Sequence, residues 1–183
     1  CALPIFLAKL DAKLSITHHN SAMQTVIAGS PEDIDLAKTE FSKQSIASII
    51  IPVPAAYHSP AMAAAREMLK NGFSNQRLKP PQVGFFSTIR GKYLAEPNSI
   101  RACLVDQLTR PLFYCTAVER LVADGCRLLI DIGPSDVLTK LHRDIVGNSA
   151  ICVSLDSSHH THSDRLRLIA LAERFVTDRL SEP

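Results

Sequence analysis

The feature that most constrains the fold is an apolar, β-branched run at residues 46–53 that leads into a helix start at Ser59 and Pro60. Such a run is typical of a buried strand, and a capping hydroxyl followed by proline is typical of the first residues of a helix. The same helix start occurs at Ser30 and Pro31, with two acids directly after it. Strands that alternate with helices predict an α/β fold with at least some parallel strand pairing.

The remaining pattern extends this alternation along the chain. Further strands are predicted at residues 14–17, 25–28, 83–88, 127–132 and 150–155. Helices are predicted at residues 31–42, 61–71, around 100–108, around 118–122, at 135–141 and at 164–180. In this prediction Gly72 is a left-handed cap that ends the second helix, and Ser135 caps the fifth.

Composition limits the classes of function. The 183 residues carry a formal net charge of only +2, which gives no electrostatic footprint for nucleic acid or an anionic membrane. No apolar run approaches the roughly 20 residues that span a bilayer. The five cysteines are scattered and never in C-x-x-C spacing, so they are interpreted as reduced thiols of a cytoplasmic protein. Residues 1–6 are interpreted as a non-native or truncated end.

His58 is the candidate general base. It is predicted to lie after an apolar strand and just before a capped helix, and strand ends are where clefts form. The positive end of the helix dipole disfavours an imidazolium there, which leaves the ring neutral and able to accept a proton. From position alone, an ordinary histidine of the capping loop remains the alternative.

The other histidines have weaker signals. His18 and His19 are predicted to lie in a turn, and His142 ends a helix. Three histidines, at positions 159, 160 and 162, share a polar loop, but no ligand set with metal spacing accompanies them, so no metal site is predicted. The chain also lacks a G-x-S-x-G elbow, a P-loop and G-x-G-x-x-G, so a histidine base without its nucleophile indicates an incomplete site.

Four stretches, in this order, carry a resemblance to a known family. They are residues 19–29 (HNSAMQTVIAG), 54–62 (PAAYHSPAM), 107–113 (QLTRPLF) and 131–138 (DIGPSDVL). Together they resemble the acyltransferases that load malonyl units onto acyl carrier proteins. That family includes malonyl-CoA:acyl-carrier-protein transacylases and the acyltransferase domains of polyketide synthases.

The resemblance implies a truncated acyltransferase fold. Residues 13–53 would form part of a ferredoxin-like small subdomain, its last β-β-α-β. Residues 54–155 would form the C-terminal part of an α/β-hydrolase-like large subdomain. Residues 156–183 would form a loop and a C-terminal helix or linker.

The resemblance also implies a ping-pong transfer of malonyl from malonyl-CoA to the phosphopantetheine thiol of an acyl carrier protein. His58 matches the histidine that activates the serine, and Gln107 matches the residue whose backbone carbonyl orients that histidine. Asn20 matches a residue of the acyl pocket, with a plain turn asparagine as the alternative. Tyr57 is an aromatic residue before the histidine, which favours malonyl over methylmalonyl, with simple packing as the alternative. Ala55 departs from the first position of the motif.

Several elements of the family find no match in these residues: the serine, the glutamine of the oxyanion hole and the arginine that binds the malonyl carboxylate. The chain alone is therefore expected to be inactive and to expose an apolar face. No bound cofactor is expected, and the implied partners are an acyl carrier protein and other synthase domains of the same polypeptide, with no nucleic acid and no membrane. Two alternatives remain: a non-catalytic carrier-protein docking domain, and a fragment of another serine hydrolase such as a thioesterase.

Overall fold

A computed structural model of the chain describes residues 6–7, 10, 12–156, 161, 166, 168–171 and 173. The chain divides into two compact units, Cys1–Ala117 and Val118–Pro183. The helices and strands are, in order, β1 (Ser15–His19), β2 (Thr25–Ala28), α1 (Pro31–Lys43), α2 (Ala63–Phe73), β3 (Phe85–Ser87), β4 (Lys92–Leu94), α3 (Pro97–Asp106), α4 (Tyr114–Ala123), β5 (Leu128–Asp131), α5 (Val137–Val146) and β6 (Ile151–Ser154). Short 3-10 helices occupy Pro60–Met62 and Gln107–Thr109. Among these elements, no helix combines the length and apolar character that crossing a bilayer requires.

The alternation of strands and helices gives the predicted α/β class. β1 pairs with β2 and β3 with β4, both antiparallel, whereas β5 and β6 are parallel. The parallel pair is joined through α5, because parallel strands need a crossover connection, which is usually an α-helix. β4 was not predicted, because two of its three residues are exposed and give no apolar alternation.

In the first unit, the sheet of β1 and β2 packs on α1. Ala37 and Phe41 of α1 are buried, and Ile16 and Ile27 of the two strands pack against them. Phe6 also belongs to this core, since its ring stacks on Phe41 with centroids 5.7 Å apart. A second core cluster joins Ile89, Leu94 and Cys103, and Leu112 packs against it.

The start of α1 follows the sequence prediction. Ser30 is the N-cap, its hydroxyl accepts the Asp33 N–H at 3.1 Å, and Pro31 is the first helical residue. Asp33 in turn accepts the Lys13 N–H at 3.1 Å, which ties the helix start to the chain before β1. The hydrogen bonds from Ser30 and Lys13 lower the pKa of the Asp33 carboxyl.

The predicted strand at residues 46–53 is wrong. The segment pairs with no strand in the described part of the chain, and its side chains at Ile49 and Ile50 are 89% and 60% exposed. A β-branched run favours extended backbone, but a strand also needs a neighbour to satisfy its N–H and C=O groups. Residues 13–53 therefore form β-β-α instead of the expected β-β-α-β.

Three predicted helix boundaries are also wrong. Gly72 lies inside α2 rather than after it, and the helix continues to Phe73. Ser135 is not the cap of α5: its φ is 75°, and the N-cap is Asp136. That helix continues to Val146 instead of ending at residue 141.

In the second unit, a buried carboxylate stabilises the start of α5. Asp131, at the end of β5, is 4% exposed and accepts the N–H groups of Gly133 at 3.1 Å and Thr139 at 3.2 Å. Thr139 is the third residue of α5, one of the first-turn positions whose N–H has no partner within the helix. The Asp131 side chain, rather than the predicted Ser135 side chain, therefore satisfies a first-turn N–H of α5. Of the predicted helix at 164–180, residues 166, 168–171 and 173 are helical, and the others lie outside the described residues.

Candidate active site

Three segments far apart in the sequence meet in the first unit. They are residues 17–20 at the end of β1, residues 57–59 before α2, and residues 107–112 after α3. The third segment lies alongside β1, because the Leu112 N–H donates to the Thr17 carbonyl and the His19 N–H donates to the Leu112 carbonyl, each at 2.8 Å. These two backbone bonds fix the spacing between β1 and the turn that contains Gln107.

His58 is joined to that turn by a short hydrogen bond. Its Nδ1 lies 2.6 Å from the backbone oxygen of Gln107. Since a carbonyl oxygen only accepts, Nδ1 must carry the proton, and Nε2 then has the lone pair. The side chain is partly buried. When the ring is uncharged, this hydrogen bond therefore leaves the second nitrogen as the one that can accept a proton.

The backbone at His58 is in an unusual conformation. Its φ is 63°, in the left-handed region that a non-glycine residue rarely adopts. Such a conformation persists only where the surroundings impose it, and it occurs most often at functional sites. Here the buried Ser59 helps to impose it, because its hydroxyl donates to the Ala56 carbonyl at 2.6 Å and accepts the Ala61 N–H at 3.3 Å.

A buried carboxylate fixes the chain just before Gln107. Asp106 is 9% exposed, and Arg66 donates to its Oδ1 from Nε at 3.1 Å and from Nη2 at 2.7 Å. Arg90 reaches Oδ2 at 2.5 Å, and Arg110 lies 3.8 Å from it. The hydrogen bonds to Asp106 raise the pKa of the Arg66 guanidinium. This Asp106 cluster (Asp106, Arg66, Arg90 and Arg110) connects α2, which follows His58, with the turn of Gln107.

The other two predicted site residues lie next to these segments. Asn20 follows β1, where its side chain donates to the Gln24 side chain at 2.7 Å and its N–H donates to the Gln24 carbonyl at 3.0 Å. These bonds close the turn between β1 and β2. Tyr57 precedes His58, and its side chain is 42% exposed.

His18 was not among the predicted site residues. It was predicted to lie in a turn, but it is paired with Val26 within β1, and its ring lies against that of His58. The ring centroids are 4.8 Å apart and the planes meet at 82°. Burial, and then the neighbouring His58, lower the pKa of the His18 imidazole. The signal that could have found His18 was the β-branched Thr17 before it, which favours a first strand that continues past residue 17.

No metal centre accompanies these residues. Within the described ranges, no three His, Cys, Asp or Glu side chains come close enough together to hold a metal ion. The histidines at positions 159, 160 and 162 lie outside the described residues. Among the described residues four cysteines form no disulfide bond with one another, and three of them, Cys103, Cys115 and Cys152, are buried. Burial raises the pKa of the Cys152 thiol, as an inert core cysteine requires.

A histidine whose Nδ1 donates to a carbonyl, on an α/β scaffold, has the geometry of a candidate general base. The acyl transferase domain family matches residues 7–177. The chain therefore belongs to the acyl transferase domain family.

Individual proteins agree with this assignment. The chain is 30% identical over 139 residues to the malonyl CoA-acyl carrier protein transacylase of Haemophilus influenzae, covering 74% of this chain and 44% of that protein. The malonyl CoA-acyl carrier protein transacylase of Clostridium perfringens has the same fold, with a TM-score of 0.80, 21% identity and coverage of 97% and 55% of the two chains. A malonyl-transacylase solved in complex with its type II polyketide synthase acyl-carrier protein matches with a TM-score of 0.75 and 24% identity, covering 88% of this chain and 51% of that one. The chain thus spans about half the length of these relatives.

Proposed function

We propose that this chain supplies the histidine side of the active site of an acyltransferase that moves a malonyl group from malonyl-CoA to the phosphopantetheine thiol of an acyl carrier protein. The observation that carries the proposal is the 2.6 Å hydrogen bond from His58 Nδ1 to the Gln107 carbonyl. It leaves Nε2 as the proton acceptor, which is the atom that a nucleophile needs beside it. In this proposal the serine, the oxyanion glutamine and the carboxylate-binding arginine belong to polypeptide outside the 183 residues.

Each half-reaction uses Nε2 of His58 once as a base and once as an acid. The serine hydroxyl gives its proton to Nε2 while its oxygen attacks the thioester carbonyl, and the CoA sulfur leaves with that proton. The thiol of the carrier protein then gives its proton to Nε2 and attacks the malonyl ester, and the serine oxygen leaves with the proton. The proton and acyl transfers balance with the serine, His58 and the two thiols alone, so the proposal includes no bound cofactor.

The Gln107 carbonyl has only one of the two roles of the aspartate in a Ser-His-Asp triad. It fixes the tautomer of His58 as a carboxylate would, but it brings no full negative charge to stabilise the imidazolium. A thioester requires less help from the protonated histidine than an amide does, because a thiol is a far better leaving group than an amine. A neutral orienting group therefore fits thioester exchange.

The roles of the flanking residues form part of the same proposal. Asn20 would line the acyl pocket, next to the turn that it closes with Gln24. Tyr57 would crowd the position of an α-methyl group and select malonyl, a steric effect worth about 1–3 kcal/mol. Its 42% exposure is compatible with a side chain that contacts substrate rather than the core of this unit.

The implied partners are an acyl carrier protein and, in a synthase, other domains of the same polypeptide. The transacylase solved with its carrier protein supports the first of these. A cytoplasmic location belongs to the proposal as well, and it is supported by the four cysteines of the described residues, which form no disulfide bond with one another.

The proposal is tested by restoring a complete site. Residues 7–177 would replace the matching part of the Haemophilus influenzae transacylase, and transfer of radiolabelled malonyl from malonyl-CoA to a phosphopantetheinylated carrier protein would be measured. The hybrid should turn over, and the 183-residue chain alone should not. His58→Ala in the hybrid should lower the rate by roughly 10²- to 10⁴-fold, the usual contribution of a general base.

The control is His19→Ala, which removes an imidazole from the same strand end without touching the His58–Gln107 bond. It should leave the transfer rate close to that of the unmodified hybrid. Equal rates for the His58→Ala and His19→Ala hybrids would contradict the proposal, as would malonyl transfer by the 183-residue chain on its own.

A further inference from the structure

His58 has one hydrogen bond that fixes its position but not the plane of its ring. The bond from Nδ1 to the Gln107 carbonyl restrains one atom of the imidazole. Carbonyl oxygens accept over a broad range of directions, so the ring can still tilt about that contact. A second contact has to set the direction in which Nε2 points.

The ring of His18 provides such a contact. The two imidazoles form an edge-to-face pair, with centroids 4.8 Å apart and an interplanar angle of 82°. This is a preferred geometry for aromatic rings, and it is lost if either ring turns. Burial, followed by the proximity of His58, lowers the pKa of His18, which disfavours a second positive charge beside a protonated His58.

A bulge in β1 directs His18 to this place. Ile16 pairs with Ile27 and His18 with Val26, so Thr17 is an extra residue between two consecutive pairs. In a regular strand, residues two apart lie on the same face, and His18 would share the apolar face of Ile16. The bulge reverses this, so that Ile16 packs in the core with α1 while His18 lies against His58.

The His18 ring is itself fixed by hydrogen bonds. The Thr17 hydroxyl lies 3.3 Å from the Val26 carbonyl. Thr17 Oγ1 also lies 3.0 Å from His18 Nδ1, and which of these two atoms donates depends on the tautomer of His18. With either tautomer, the same buried threonine that forms the bulge holds the His18 ring at Nδ1.

From these contacts we propose that His18 is a positioning residue for His58, and that its ring fixes the plane of the His58 imidazole. The consequence for catalysis rests on the proposed function, in which Nε2 of His58 exchanges protons with the nucleophile. The positioning itself is a property of the 183-residue chain.

The test uses that chain and does not depend on activity. Long-range ¹H–¹⁵N spectra of the histidine rings report the tautomer of His58 and the exchange of its Nδ1–H with water. Three variants are compared with the unmodified chain: His18→Ala removes the ring, His18→Phe keeps a ring without nitrogens, and His19→Ala removes the neighbouring imidazole.

His18→Ala should speed the exchange of the His58 Nδ1–H by roughly three- to tenfold, the size of one lost edge-to-face pair. His18→Phe and His19→Ala should keep the exchange rate and the tautomer of the unmodified chain. An unchanged His58 signal in His18→Ala overturns the proposal, and so does a change in His18→Phe as large as in His18→Ala. Since activity is not measured, failure of the transfer assay with the hybrid would count against the proposed function and leave this result standing.

Discussion

At the scale of single residues, the geometry around His58 depends on groups that never touch a substrate. The left-handed backbone of His58 costs on the order of 1–3 kcal/mol, which the surrounding contacts must offset. The Gln107 carbonyl is the acceptor for Nδ1, and the Asp106 cluster fixes the residue just before it. A substitution of Asp106 is therefore expected to act chiefly on the free energy of unfolding.

Asp106→Asn should lower the free energy of unfolding by about 1–3 kcal/mol, because three guanidinium groups would lose a largely buried charge partner. The loss is limited because the Arg66 and Arg90 side chains are 31% and 33% exposed, so water screens part of it. Urea unfolding followed by circular dichroism measures the change.

Asp124→Asn is the matched control. Asp124 pairs with Arg120 at 2.8 Å on the surface of α4, where the arginine side chain is 62% exposed. An exposed pair of this kind contributes about 0–1 kcal/mol, so this variant should unfold close to the unmodified chain. If both substitutions had equal effects, the Asp106 cluster would be no more than a surface ion pair.

At the scale of elements, the sequence pattern correctly predicted a feature that depends only on residues close together in the sequence. The start of α1 was predicted correctly because the Ser30 hydroxyl and the Asp33 N–H that donates to it lie within four residues of sequence. The strand at 46–53 was wrong because a strand depends on a partner that the segment's own composition cannot supply. The pairing of His58 with Gln107, 49 residues away, came from the family resemblance, and no local pattern indicated the His18 contact, which depends on a bulge.

The unpaired segment 46–53 should promote self-association. It is apolar and β-branched, and both Ile49 and Ile50 are well exposed, which are the properties of an edge that recruits other chains. Ile49→Lys should reduce association, because a charge opposes edge-to-edge pairing. Light scattering during size-exclusion chromatography, over a range of chain concentrations, measures the effect.

Met68→Lys is the comparison for that variant. Met68 is 76% exposed on α2, so the substitution adds the same charge at an isolated apolar position within a helix. Its association should stay close to that of the unmodified chain. If Met68→Lys reduced association as much as Ile49→Lys does, net charge rather than the unpaired segment would be responsible.

At the scale of the whole molecule, acid sensitivity should come from histidines in both compact units. His18 in the first and His142 in the second each have a pKa below the ordinary value of 6.5, in both cases chiefly because they are buried. As the pH falls below 6.5, the unfolded chain binds protons that these folded imidazoles do not bind. The contribution of these two histidines to the free energy of unfolding is therefore fully present above pH 6.5, and it is lost as the pH falls below that value.

The urea midpoint should accordingly be constant from pH 8 to about 7 and fall steadily towards pH 5. The lowered carboxyl pKa of Asp33 acts in the same direction, but only near pH 3.8 and below, so it does not contribute to this window. His18→Gln and His142→Gln should each flatten the slope between pH 6.5 and 5, whatever they do to the midpoint at pH 8, because each removes one group that must be charged on unfolding. A midpoint that stays level from pH 8 to 5 in the unmodified chain, or a slope that survives both substitutions together, would show that neither imidazole is kept neutral by the fold.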